Sequence, residues 1–156
     1  MQGKLEIYGM AGHLIRRLNQ ISTSVFQDRM KAHGWDLTSV QFAALSAVGH
    51  TPGIDQASLA GLIAYDRATI GGVVDRLETK GLVKRTISTR DRRARAVTLT
   101  PKGTCLLAQV TPVVDALQHD ILVGLTDDER DTFVRLAQKA TTKGNDLSRA
   151  PLTFRD

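Results

Sequence analysis

The stretch that most restricts what this chain can fold into is residues 66–103, DRATIGGVVDRLETKGLVKRTISTRDRRARAVTLTPKG. Ile70, Val73, Val74 and Leu77 recur at helical spacing, and Asp66 ahead of them is a residue type that caps helix starts. Gly81 stands where a left-handed helix terminus favours glycine. Two β-favouring runs, 82–87 and 96–99, flank the polar segment 88–95. The window therefore predicts a helix, a strand, a charged tip, a second strand and the start of another helix. From Arg67 to Lys102 there are ten Lys and Arg against three Asp and Glu, a local net charge of +7. The whole chain carries +5, so the remainder sums to −2. A basic helix and hairpin in an otherwise slightly acidic chain is the electrostatic footprint of a polyanion-binding element.

Composition narrows the polyanion. Aromatic residues make up 4% of the chain, too few for a sheet that stacks single-stranded bases. Double-stranded DNA fits better. With 156 residues the chain is long enough for one domain with a substantial core. No run approaches the roughly 18 apolar residues of a membrane span. The start, MQGKLEIYGMAGHLIRR, carries charges where a signal peptide needs an apolar stretch, so a cytoplasmic protein is expected. The single Cys105 leaves no intrachain disulfide framework and no cysteine-rich zinc site.

Taken in order, residues 5–33 predict a long amphipathic helix, with Ile7, Ala11, Leu14, Leu18, Ile21 and Val25 on one stripe. Its 3.5-residue average spacing suits packing against another long helix. Thr38-x-x-Gln41 is a capping box for a second helix, with Phe42, Leu45 and Val48 on its apolar face. Thr51-Pro52-Gly53 breaks the chain, and Asp55 can cap a short helix through Leu59, Leu62 and Ile63. Two short helices joined this tightly read as a helix-turn-helix, and the hairpin after them as a wing. Thr100-Pro101 opens a further helix carrying Leu106 to Leu122, which Pro112 should kink or split. Thr126-x-x-Glu129 opens the last one, through Phe133, Leu136, Ala137 and Ala140. The polar tail from Gly144 is expected to be loosely ordered.

This order of elements resembles the MarR family of winged-helix transcription regulators over roughly residues 8–143. The most specific part is Asp75-Arg76-Leu77-Glu78-x-x-Gly81-Leu82-Val83-x-Arg85, followed by Asp91-Arg92-Arg93 and Leu99-Thr100-Pro101-Lys102-Gly103. The fold expected is mainly α with a small β wing. The winged helix-turn-helix spans about 37–100, with helical dimerisation segments at about 5–33 and 101–143. The resemblance implies a homodimer on a palindromic operator, released by a small ligand or by oxidation. Gly12-His13-Leu14-Ile15-Arg16-Arg17 and Pro52-Gly53-Ile54-Asp55-Gln56 look like the branch that controls catabolism of aromatic acids. One departure is Gly71-Gly72, where recognition helices of the family usually carry polar or basic residues. Each glycine costs about 1 kcal/mol against alanine inside a helix. Close approach to DNA or to the neighbouring helix would compensate.

With the glycines unable to read bases, Arg67 and Thr69 become the candidates for base edges, Arg67 through paired hydrogen bonds to guanine. Thr69 is equally suited to bonding its own backbone. Arg76 suits a phosphate or a pair with Asp91. Arg90, Arg92, Arg93 and Arg95 suit groove and phosphate contacts, and the resemblance gives Asp91 the task of orienting Arg93. For an anionic aromatic ligand, an acid or its thioester, the candidates are His13, Arg16, Arg17 and Trp35. Arg17 sits at the margin of the apolar stripe, Arg16 points further away, and Trp35 offers an aromatic wall. Cys105, followed by Leu106 and Leu107, reads first as a buried structural cysteine, with thiol redox sensing as the alternative. The four histidines show no metal spacing and no catalytic constellation stands out, so neither an enzyme nor a cofactor is expected. A constitutive architectural DNA binder without an effector remains the rival function.

Overall fold

The computed structural model describes residues 4–153. The described residues form six α-helices and a small three-stranded antiparallel sheet, against which the four middle helices pack. The helices are α1 (Ala11–Ala32), α2 (Ser39–His50), α3 (Gln56–Leu62), α4 (Ile70–Thr79), α5 (Pro101–Ile121) and α6 (Asp127–Lys143). The strands are β1 (Ile54–Asp55), β2 (Val83–Ile87) and β3 (Arg95–Leu99), in the order β1-β3-β2.

Local chemistry sets most of the helix starts. In both capping boxes the threonine hydroxyl accepts from the amide three residues on, while the Gln41 or Glu129 side chain accepts from the threonine amide. Asp55 caps α3 through the Ser58 amide at 2.8 Å, and Thr100 caps α5 through the Gly103 amide at 3.0 Å. At the far end of α4, Gly81 adopts φ +73°, the left-handed turn that its place in the sequence predicts.

The core lies under the winged region. Leu45 and Val48 of α2, Leu59 of α3, Ile70, Val74 and Leu77 of α4 and Val83 and Val97 of the sheet are buried against one another. Phe26 and Met30 of α1 join them with Val110, Val114 and Leu117 of α5, and Arg29 pairs with Asp120 to tie the two long helices. The other half of α1 buries little, and α6 has no buried residue.

Four expectations change. The long first helix is interrupted: a 3-10 turn at Glu6–Gly9 ends at Met10, whose extended backbone (φ −84°, ψ 132°) separates Ile7 from the stripe on α1. Of the kink or split expected at Pro112, the split is absent, since α5 runs unbroken across it. Thr111 Oγ1 back-bonds to the Leu107 carbonyl at 2.7 Å just ahead of the missing proline amide. Strand β1 was not foreseen; it pairs Ile54 with Val97 and Asp55 with Ala96. The tail is held rather than loose: Asn145 brackets Leu152 with hydrogen bonds of 2.8 and 2.9 Å, and the Thr153 amide donates to the Gly61 carbonyl at 2.8 Å. Residues 154–156 of that tail lie outside the described residues.

Candidate nucleic-acid interface

The chain leaves α3 through Ala64, a non-glycine residue at φ +54°, and reaches Asp66. Asp66 does begin the turn, but α4 proper starts later than the sequence suggests. Its carboxylate accepts from the Ala68 amide at 2.8 Å, and its carbonyl accepts from Ile70 at 3.0 Å. Arg67 and Thr69 therefore sit on the turn that leads into α4, both exposed. The Thr69 hydroxyl donates to the Asp66 carbonyl at 3.2 Å, which is the backbone-bonding role. Along α4, Ile70, Val73, Val74 and Leu77 face the core, leaving Gly72 and Arg76 on the exposed side.

Arg85 locks the wing to this helix. From β2 it donates to Glu78 at 3.0 Å and Asp75 at 2.5 Å on α4, and to Gln56 at 3.0 Å on α3. Its amide also donates to Glu78 at 3.1 Å. The hydrogen bond from the Arg85 side chain, followed by that from its amide, holds the Glu78 carboxyl below its ordinary pKa. Two further cations are committed to structure. Lys80 reaches Gln41 at 2.9 Å and the Asp36 carbonyl at 2.6 Å, and Lys102 donates to the Lys80 carbonyl at 2.9 Å.

The other seven of the ten cations are Arg67, Arg76, Lys84, Arg90, Arg92, Arg93 and Arg95. All are exposed, and none makes an ion pair among the described residues. Arg76 is therefore not paired with Asp91. At the wing tip, Asp91 accepts from the Arg93 amide at 2.9 Å, so it shapes the turn through the main chain and leaves the Arg93 guanidinium uncommitted. Lys84 escaped the sequence reading. The inward Val83 beside it is the period-two signal that places Lys84 on the outer face of β2.

The residues predicted to hold a ligand separate into two places. Near the start of α1, Arg16 Nη2 lies 3.4 Å from His13 Nδ1, and the Tyr8 ring stands 5.8 Å away. His13 Nε2 is buried without a hydrogen-bond partner. Arg16, one helical turn on, is thus the arginine in contact with His13, the place expected for Arg17; both arginines are exposed. Trp35 is not part of this group within one chain. It stacks on His33 at 4.5 Å, beyond the opposite end of α1, about 30 Å along the helix from His13. Cys105 is exposed, not buried, and its nearest polar partner is Gln109 at 3.8 Å. Lys102, the cation one turn before it in sequence, is turned to the Lys80 carbonyl. Among the described residues no cluster of His, Cys, Asp or Glu could hold a metal, and no helix is long and apolar enough to cross a membrane.

A short helix pair, with Arg67 on the turn into its second helix and Arg76 on that helix's exposed side, and an arginine-tipped hairpin define a winged helix-turn-helix of the DNA-binding kind. The comparisons with known proteins place it more narrowly. Residues 37–94 match the model of the MarR family. The transcriptional regulator HosA of Escherichia coli O157:H7 is 34% identical over 129 residues, 83% of this chain and 93% of that protein. The HTH-type transcriptional repressor NicR of Pseudomonas putida is 34% identical over 134 residues, 86% of this chain and 84% of that one. A solved structure of Bordetella bronchiseptica BpsR, whose DNA binding is regulated by 6-hydroxynicotinic acid, superposes with a TM-score of 0.81 at 30% identity. That match covers 89% of this chain and 98% of BpsR. The chain belongs to the MarR family of transcriptional regulators.

Proposed function

We propose that the protein acts as a homodimer on a palindromic operator and represses transcription until a small aromatic acid, or its thioester, is bound. The observation that carries the DNA-binding part is the display of seven exposed cations without an ion-pair partner among the described residues, on a turn, helix and wing, with helix and wing fixed to each other by Arg85. The dimer rests on apolar surface that one chain leaves uncovered. Leu14, Ile15 and Ile21 of α1 are 41%, 66% and 42% exposed, and Val134 and Leu136 of α6 are exposed as well. The effector part draws on NicR as a repressor and BpsR as a regulator that answers to 6-hydroxynicotinic acid. In this chain His13, with its buried free nitrogen, and the neighbouring Arg16 and Arg17 have the donors that a carboxylate takes.

Gel-shift titration tests the reading. Arg93→Ala should weaken operator binding strongly with the fold intact, because the wing tip is exposed. Counting Arg67, Arg76, Arg92 and Arg93 in each subunit as phosphate or groove contacts, roughly half to all of them in a dimer give a wild-type log–log salt slope between about −4 and −7. A slope near zero would mean that these cations do not face DNA. For the effector, 6-hydroxynicotinic acid is the first probe. A ligand at 100 times its dissociation constant adds about 2.7 kcal/mol of stability, which a thermal-shift assay resolves.

A further inference from the structure

The tail after α6 returns to the winged region and ends against α3. Asn145 closes the loop 145–152 by bonding both the amide and the carbonyl of Leu152, so the segment keeps one shape. The Thr153 amide then docks on the Gly61 carbonyl. A Cβ at position 61 would collide with the Thr153 side chain, so the approach depends on glycine there. Between the tail and the helix-turn-helix lies a cleft of about 510 Å³. Its lining includes Arg149 from the tail and Arg67 from the turn before α4, with Ser58, Tyr65 and Asp66. Asp66 already spends one carboxylate oxygen on the Ala68 amide. Neither arginine has an ion-pair partner among the described residues.

We propose that residues 145–153 are a strap that belongs to the DNA-binding surface, and that Arg149 and Arg67 together hold a backbone phosphate of the bound duplex. The inference deepens the DNA-binding reading and rests on it. A phosphate is the ligand whose chemistry fits: two arginines lining one cleft offer guanidinium donors for its oxygens, while Asp66, the acidic residue of that lining, leaves the site net positive. The strap meets α3 and the turn that precedes α4, whereas the wing follows α4, so the strap would set the register of the helix and add no base specificity of its own. Arg67 then has two neighbours to answer to, the base edge and the strap.

The experiment uses the full chain, a mixed-sequence duplex of about 30 base pairs and an operator selected from a random pool by the wild-type protein. Arg149→Ala should weaken both complexes about tenfold at low salt. It should also make the salt slope shallower by about 1.8, which is 0.9 for each of two lost contacts in a dimer. Arg149→Lys should restore most of the slope, since the charge is kept. Asn145→Ala, which frees the strap and leaves Arg149 in place, should recover part of the Arg149→Ala effect. Lys139→Ala on α6 removes the same charge away from the site and should leave the slope alone. A strap that only braces the fold would give the opposite pattern, a lower melting temperature with the slope unchanged, and would overturn the proposal. If Arg93→Ala weakens binding and Arg149→Ala does not, the strap proposal fails alone. If the wild type ignores both duplexes at low salt, the DNA-binding reading fails and the strap falls with it.

Discussion

Gly72→Ala separates what the fold needs from what DNA needs. Gly72 lies inside α4 on its exposed side, and a Cβ built there meets nothing within 4 Å. Gly71 is nearly as free, with the Gln56 amide at an ordinary 3.7 Å. Close packing against the neighbouring helix therefore does not account for glycine at 72. Alanine should stabilise the protein by about 1 kcal/mol per subunit, the helix-propensity difference. For a chain of this size that raises the melting temperature by about 2–4 °C. If the glycine admits the DNA backbone, the same methyl must be accommodated against a packed surface, at about 1–3 kcal/mol for each recognition helix. At 1 kcal/mol this already weakens binding about fivefold, and a dimer meets the cost twice. The expected result is a pair of opposite signs: a higher melting temperature by calorimetry and a weaker complex by fluorescence anisotropy. A variant that is more stable and binds as well as the wild type would refute the close approach. A less stable variant would mean that position 72 is not open.

Two further substitutions test the joints around α4. Gly103→Ala places a Cβ inside the contact distance of the Leu82 carbonyl oxygen, a backbone group with no room to yield, so a loss of about 3 kcal/mol or more is expected by urea denaturation. An unchanged midpoint would show that α5 does not press on this junction. Glu78 has its pKa lowered from 4.5 by Arg85, so its contribution is present above that value and fades as pH falls through the lowered one. Glu78→Gln should accordingly flatten the decline of stability below pH 4.5, and parallel wild-type and variant profiles would remove Arg85 as the cause.

What could be read from the sequence was what local chemistry decides. The boxes at Thr38 and Thr126, the caps at Asp55 and Thr100 and the glycine turn at Gly81 each bind groups within a few residues. The strap was illegible because its decisive bond joins Thr153 to Gly61 across most of the chain. Strand β1, at two residues, is too short to show any alternation. The break at Met10 carries no proline, and Ile7 kept the four-residue spacing to Ala11 across it by coincidence. For the interface, counting charge located the surface but could not sort it. Lys80, Arg85 and Lys102 look as available as Arg93 until their partners on α2, α3 and α4 are seen. Chemical suitability alone joins Trp35 to His13 in the sequence, and within one chain the length of α1 holds them apart.

The joint between α4 and α5 bears on how an effector would act on DNA. The Thr100 amide donates to the Leu82 carbonyl at 3.0 Å, its hydroxyl to the Gly81 carbonyl at 2.6 Å, and Lys102 to the Lys80 carbonyl. Three consecutive residues after the recognition helix are thus bonded to the first turn of α5, with Gly103 packed against Leu82. On the opposite side, the strap ties the end of α6 to α3. A winged region held at both ends has little freedom to flex internally, so a change at α1 or α5 must carry the recognition helix along as a body. In the proposed dimer that motion changes the spacing of two recognition helices that must meet grooves about 34 Å apart or a multiple of it. A ligand near His13 and Arg16 would then act by favouring one spacing over another, without touching α4. Linkage requires the converse, so operator DNA should weaken ligand binding by the factor with which ligand weakens DNA binding.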